Sequence, residues 1–226
     1  MERYKRILTV AADASGAYHA ACAGQVVLII DVIDMGTTLE AALQAGASLV
    51  LGASPSFCKA PVPVNPEAIG RYAARVSNDL QTDIVLIAEP RVGSEAERIE
   101  RAAGVLRGMQ QGGKEPVGIY PNLGAETIKL VDFKNRVVVA VSDCGGTAFD
   151  AAFNAGAPVV TGTTARTFGR TGWENADSGI RRALQVATKE GRGLCIVAAS
   201  SKALEDVLAA HYFAQRAIAE GFNYIF

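Results

Sequence analysis

The chain has 226 residues, of which 50% are apolar and 20% are charged. This composition is typical of a globular protein with a substantial core. The formal net charge of −1 gives no support for attraction to nucleic acid or to an anionic membrane, so we expect neither as a partner. The N-terminal stretch shows no signal-peptide pattern, no apolar run approaches membrane-spanning length, and the widely spaced cysteines favour free thiols in the cytoplasm.

Short β-branched runs alternate with longer Ala-rich stretches along the chain. The pattern predicts strands over 6–11, 26–31, 48–51, 83–88, 117–120, 137–142, 158–161 and 194–198. It predicts helices over 37–45, 66–80, 94–110, 147–155, 176–189 and 202–220. Runs such as VVLII and VVVAV are apolar on both faces, which indicates buried parallel strands. We therefore expect a three-layer α/β/α fold with a mainly parallel sheet.

The chain also contains an internal repeat. Residues 27–54 align without a gap with residues 137–164, at an offset of 110 positions, and 10 of the 28 aligned positions are identical. We therefore predict one domain built from two repeats, approximately 1–112 and 113–226, joined at the polar, glycine-bearing stretch 110–114. The functional site is expected where the repeats meet, and the positions at which they differ are expected to carry the chemistry.

Each repeat contains a Gly-Thr pair just before an Ala-rich helix. These pairs are Gly36-Thr37 and Gly146-Thr147. A threonine can cap the free amides at a helix start, and turns of this kind lie at the carboxyl ends of strands, where ligands bind in open α/β sheets. The pairs are equally compatible with a purely structural role as turns.

Three carboxylates distinguish the first repeat from the second. Asp31, Asp34 and Glu89 fall at predicted strand ends, where the second repeat has small or apolar residues. A charge at the end of a buried strand must be solvated, paired or bound to a cation. Carboxylate oxygens suit Mg²⁺, and a helix start from the second repeat is suited to hold an anion opposite it. Solvated loop charges are the alternative.

Several familiar catalytic signatures are absent. The segment from Asp31 to Asp34 is not D-x-D, and the chain has no P-loop and no G-x-G-x-x-G after a strand. His19 and His211 have no neighbouring nucleophile and are interpreted as structural or surface residues. Cys144 precedes a predicted helix, where the pKa of its thiol would fall, although a simple buried thiol is the more ordinary interpretation.

At these positions the chain resembles the 2-phosphosulfolactate phosphatase family. The family segment D-V-[LI]-R-A-[ST]-T-T is similar to DVIDMGTT at 31–38, and a G-E-R-like turn is similar to AEPRVG at 88–93. A G-N-S-P-like stretch corresponds to PNLG at 121–124, and T-T-N-G-T-x-A corresponds to DCGGTA at 143–148. The V-x-x-G-[ST] segment falls at 159–163, and the C-terminal motif at 196–210. The resemblance spans most of the chain in a single order.

The resemblance implies Mg²⁺-dependent hydrolysis of a phosphate monoester on a small acidic metabolite. The implied catalytic residues are Asp31, Glu89 and Asp143, and the implied metal ligands are Asp31, Asp34 and Glu89. The implied phosphate- and substrate-binding residues are Thr37, Thr38, Arg91, Asn122, Gly146 and Thr147. We expect a small anionic metabolite as the partner and a homodimer as a possible assembly.

Two departures from the family motifs keep an alternative open. Asp34 stands where the family has arginine, and Gly145 stands where it has asparagine. Exchanging a cation for an anion changes the preference for an anionic substrate. The alternative is a non-catalytic protein that binds a metabolite or serves a regulatory role on the same scaffold. Thiol chemistry at Cys144 is a third hypothesis.

Overall fold

A computed structural model describes residues 7–222 of the chain. Within this range the strands are β1 (Leu8–Ala12), β2 (Val26–Ile30), β3 (Leu49–Ala53), β4 (Ile84–Ala88), β5 (Ile119–Pro121), β6 (Val137–Val141), β7 (Val159–Gly162) and β8 (Leu194–Ala198). The helices are α1 (Asp13–Cys22), α2 (Met35–Gln44), α3 (Pro66–Asp79), α4 (Glu95–Gln111), α5 (Gly145–Asn154), α6 (Gly172–Glu190) and α7 (Leu204–Ala219). A 3₁₀ helix covers Gly124–Lys129. The start of the first predicted strand, Arg6, lies outside the described residues.

The strands form two parallel four-stranded sheets. The first sheet has the order β1-β8-β2-β7, and the second has the order β3-β6-β4-β5. All five residues of β2, β4, β6 and β8 are buried. These four strands occupy the two central positions of each sheet, which explains why their sequences are apolar on both faces.

Each sheet takes strands from both repeats. The first sheet combines β1 and β2 with β7 and β8, and the second combines β3 and β4 with β5 and β6. Shifting the numbering by 110 residues converts one strand order into the other, since β1, β8, β2 and β7 correspond to β5, β4, β6 and β3. The repeats therefore exchange strands, and neither sheet belongs to one repeat alone.

The predicted α/β/α arrangement is confirmed, with helices packed between and around the two sheets. Helices α6 and α7 pack on the first sheet, and α3 and α4 pack on the second. Helices α2 and α5 carry the chain from one sheet to the other and contact strands of both. Eight successive residues of each helix, 35–42 and 145–152, are buried because sheets lie on two sides of it.

The ends of the helices follow local signals. Asn65 caps α3 by accepting the amide of Ala68 at 3.1 Å, and Ser94 and Glu97 form a capping box at α4. Gly46 and Gly156 follow α2 and α5 with φ of +88° and +87°, a conformation that glycine adopts without steric cost.

Thr37 and Thr147 do not cap α2 and α5. The helices begin at Met35 and Gly145, so both threonines lie within the first turn. No side chain caps either helix, and the residues at the capping position are Asp34 and Cys144. The Thr37 hydroxyl instead donates to the carbonyl of Val32 at 2.5 Å. In residues 7–222, no helix is long and apolar enough to cross a membrane.

Candidate active site

The carboxyl ends of both sheets bring acidic side chains into one neighbourhood. We use the term acidic cluster for Asp31, Asp34, Glu89, Asp143 and Asp206, which influence one another electrostatically. Asp31 follows β2 of the first sheet, whereas Glu89 and Asp143 follow β4 and β6 of the second. The cluster therefore lies where strands of the two repeats meet, and both predicted acid/base carboxylates belong to it.

Among the cluster residues that the sequence predicts, Asp31 is the most deeply buried. It is 5% exposed, and its Oδ1 accepts the backbone amide of Asp34 at 2.9 Å. Burial, followed by the charges of Asp206 and Asp34, raises the pKa of Asp31 to about 7, against hydrogen bonds from the Asp34 and Gly36 amides. Its Oδ2 faces Gly145 at the start of α5, where an added Cβ would overlap it.

Asp206, in the first turn of α7, joins the cluster from the second repeat. Its Oδ1 accepts the amide of Val32 at 2.9 Å, which ties α7 to the loop after β2. Burial raises the pKa of this carboxyl, and neighbouring acidic charges add to the effect. Because Asp31 and Asp206 both resist ionisation, this part of the acidic cluster favours a bound proton.

Glu89 and Asp143 share one arginine. Nη2 of Arg101 on α4 lies 2.5 Å from Oδ1 of Asp143 and 3.6 Å from Oε2 of Glu89. Burial, followed by the charges of Asp34 and Asp143, raises the pKa of Glu89 to about 7, whereas Arg101 lowers it. The Glu89 side chain is 19% exposed and that of Asp143 is 64% exposed. The Glu89 side chain is therefore largely buried but still accessible to solvent.

Asp34 pairs with the predicted substrate-binding arginine. Nη2 of Arg91 lies 3.2 Å from Oδ1 of Asp34, and its Nε donates to the carbonyl of Asn122 at 3.1 Å. Both charged side chains are 47% exposed. The Asp34 carboxylate is therefore paired with a guanidinium, and the pair remains open to solvent.

The predicted anion-binding hydroxyls and amide are engaged within the protein. Thr38 donates to Oδ1 of Asn122 at 2.5 Å, and Thr37 lies 2.9 Å from the hydroxyl of Thr163. The Gly146 amide donates to Ser142 Oγ at 2.8 Å, and Thr147 Oγ1 lies 3.5 Å from the sulfur of Cys58. These contacts hold α2 and α5 in place. Asn122 is 1% exposed, and its Nδ2 has no hydrogen-bond partner among residues 7–222.

The residues implied for Mg²⁺ do not form a shell. Mg²⁺ requires oxygen ligands directed at one point, and residues 7–222 contain no group of three or more His, Cys, Asp or Glu side chains arranged to hold a metal ion. Asp31 binds its own loop, Asp34 pairs with Arg91, and Glu89 lies beside Arg101. This arrangement does not fit a preformed Mg²⁺ centre, so we derive no step through a metal.

Cys144 lies at the cluster but is not activated. Burial raises the pKa of its thiol, and Asp31, Asp143 and Asp206 raise it further, although a hydrogen bond with Ser200 opposes them. A thiol surrounded by carboxylates gives little of the thiolate that nucleophilic chemistry needs.

An open pocket reaches the outer side of the cluster. It has a volume of about 380 Å³ and is lined by Arg101, Asp143 and the loop residues 55–58. Asp31 and Glu89 are not among the residues that line it. Arg101 therefore connects the pocket to Glu89.

Two residues of the site, Arg101 and Asp206, have no role in the sequence prediction. Arg101 lies within α4, away from any strand end, and nothing in its sequence context distinguishes it from neighbouring arginines. Asp206 falls in the C-terminal Leu-Glu-Asp segment, which was the available signal. No protein-family model matches this chain, and no curated protein sequence matches it either.

Proposed function

We propose that the acidic cluster is the acid–base centre of a hydrolase that acts on a small anionic metabolite, with phosphate monoesters as the leading substrate class. The observation that carries this proposal is the pair Asp31 and Glu89, each with a pKa raised to about 7. Arg101 lies beside Glu89, and Arg91 pairs with Asp34 next to Asp31. A carboxyl with such a pKa exchanges protons effectively near neutral pH.

The surroundings of the two carboxyls suggest different roles. Arg101 favours the ionised form of Glu89, which suits it to accept a proton from attacking water. Asp31 is nearly enclosed and is surrounded by Asp206 and Asp34, which favour its protonated form and suit it to donate a proton to the leaving oxygen. Both pKa values are about 7, so this assignment of acid and base rests on the different neighbours of the two carboxyls and not on a difference in pKa.

The arginines are the groups best suited to receive an anion. Arg91 and Arg101 have side chains that are 47% and 33% exposed, so each can turn a guanidinium N–H toward a ligand. A phosphate or carboxylate would then compete with Asp34 or Asp143 for the same donors. Further elements of the proposal are action in the cytoplasm and a homodimer, each of which follows only from the sequence argument.

A panel of phosphorylated hydroxy acids, including 2-phosphosulfolactate, tests this function by phosphate release. We expect turnover by the unmodified protein and a loss of roughly 10²-fold or more in Asp31→Asn and in Glu89→Gln. Asp83→Asn, which changes an exposed carboxylate outside the cluster, serves as the matched control. Parallel assays with EDTA and with added Mg²⁺ decide the metal requirement. Turnover that survives both cluster substitutions would overturn the assignment.

Binding without turnover is the second candidate. The engagement of Asp34 with Arg91, and of the Thr37 and Thr38 hydroxyls with protein atoms, favours it. Thermal stabilisation by a panel member, lost in Arg91→Met and Arg101→Met with no phosphate released, would select this reading over catalysis.

A further inference from the structure

The two sheets leave a second pocket, at the side of the molecule where their edge strands approach each other. Strand β3 is the edge of the second sheet and β7 is the edge of the first. The edge pocket between them has a volume of about 290 Å³ and includes Val50 of β3, Val159 and Thr161 of β7, Leu43 of α2 and Phe149 of α5. No residue of the acidic cluster lines it.

From this pocket we infer a binding site for a small uncharged molecule with an apolar body and one hydrogen-bonding group. Aliphatic and aromatic side chains dominate the lining, and few polar groups are present. A concave, mainly apolar surface with a small number of polar groups is the usual character of a small-molecule site. The volume suits a ligand of about one ring.

Thr161 is the residue of the edge pocket that would bind the hydrogen-bonding group of the ligand. It is 2% exposed, and its Oγ1 has no hydrogen-bond partner among residues 7–222. A buried hydroxyl without a partner is unfavourable for the folded protein, so its presence at a pocket wall calls for an explanation. A ligand hydroxyl or carbonyl in the edge pocket satisfies it once the hydroxyl, which is shielded from solvent in the ligand-free protein, turns toward the pocket.

The charge at the pocket wall is already neutralised. Arg182 lines the pocket, but Nη2 lies 2.5 Å from Oε2 of Glu40, and Nη1 donates to the other carboxylate oxygen at 3.2 Å. Glu40 is 0% exposed, so an anionic ligand would have to separate a buried ion pair to reach the guanidinium. The pocket therefore favours a neutral ligand over a carboxylate.

Fluorine NMR titrations with three one-ring probes test this inference. The probes are 4-fluorobenzyl alcohol, 4-fluorotoluene, which lacks the hydroxyl, and 4-fluorobenzoate, which carries a charge. We expect the alcohol to bind the unmodified protein and to bind Thr161→Val roughly threefold to tenfold more weakly, the range of one neutral hydrogen bond. The toluene should bind both proteins equally, and the benzoate should bind more weakly than the alcohol.

A pocket-filling substitution locates the binding. Leu43→Trp should abolish binding of the alcohol, whereas Leu204→Trp, at an exposed position outside the pocket, should leave it unchanged. Thr161→Val removes the unpartnered hydroxyl with little change of volume, so it should also raise the melting temperature of the ligand-free protein. Absence of binding by the unmodified protein would overturn the inference. So would alcohol binding that is unchanged in Thr161→Val or in a folded Leu43→Trp, or benzoate binding that is tighter than alcohol binding.

Discussion

The Asp31 carboxylate lies directly against the backbone of Gly145, so that a Cβ added to the glycine would overlap Oδ2. Asp31 follows strand β2 of the first sheet, and Gly145 begins the helix that follows β6 of the second. This contact joins the two repeats at the acidic cluster. At this position only a glycine leaves room for the buried carboxylate.

Gly145→Ala should displace the Asp31 carboxylate and lower stability, by about 1–3 kcal/mol as is usual for an overpacked site. A double-mutant cycle with Asp31→Ala, read by denaturant unfolding, measures the contact. In the Asp31→Ala background the alanine at 145 should cost much less, because the oxygen that it meets is gone. Equal costs in both backgrounds would show that Asp31 does not restrict this position.

Stability should fall as the pH rises through the range in which Asp31 and Glu89 ionise. The pKa of Asp31 is raised from 3.8 to about 7, so between these values the folded state holds a proton that the unfolded state releases. Folding is then linked to proton uptake, and the free energy of unfolding decreases from about pH 4 to about pH 7. Asp31 alone contributes at most about 4 kcal/mol to this decrease, since one pKa unit corresponds to about 1.4 kcal/mol.

Asp31→Asn isolates that contribution. The asparagine resembles the protonated acid, so the variant should match the unmodified protein below about pH 4 and exceed its stability by a margin that grows up to about pH 7. Urea unfolding at a series of pH values measures this divergence, with Asp83→Asn as the control that keeps the original slope. A variant as pH-dependent as the unmodified protein would show that Asp31 ionises normally.

The sequence predicts the individual strands better than it predicts their partners. A run such as VVLII indicates a strand buried on both faces, and β2 is such a strand. The same run does not say which sheet it joins, because that depends on whether α2 packs back on its own sheet or crosses to another. Helix α2 is buried around its circumference, and this all-round burial is the physical sign of the second sheet.

The elements that the sequence analysis does not predict are short and lack a strong hydrophobic periodicity. Helix α1 has a sequence of small residues, and Gly16 packs so closely on Ala11 that a Cβ would come within 2.8 Å of the alanine Cβ. The carboxylates at strand ends were predictable because parallel strands of a sheet end at one edge. The contact of Arg101 with Glu89 was not predictable from the sequence, because it depends on how α4 packs against the second sheet.

Removing Arg101 should raise the pKa of Glu89 above its value of about 7, because the guanidinium favours the ionised carboxylate. NMR titration of selectively labelled glutamate side chains in Arg101→Met measures the shift directly. If Glu89 is the general base, the acidic limb of the pH–rate profile should move to higher pH in step with it. Arg107→Met, on the same helix but paired with Glu67, should leave the Glu89 titration unchanged. An unaltered titration in Arg101→Met would remove Arg101 from the site.

The equivalent positions Glu40 and Asp150 are both 0% exposed, yet the two repeats satisfy them differently. Asp150 accepts hydrogen bonds from the amides of Ser54 and Asn65, whereas Glu40 binds both Nη atoms of Arg182. Arg182→Met should therefore leave a buried charge and destabilise the fold by about 3–5 kcal/mol. Arg170 offsets only part of this loss, since it lies 3.7 Å from Glu40 and its side chain is 42% exposed.

The double variant Glu40→Gln/Arg182→Met should recover much of that stability, because neither charge then remains buried without a partner. Chemical unfolding of the single and double variants gives the coupling energy. Additive losses would mean that the Glu40 carboxylate is held by groups other than Arg182. In that case Glu40 would resemble Asp150, with its carboxylate satisfied independently of a guanidinium.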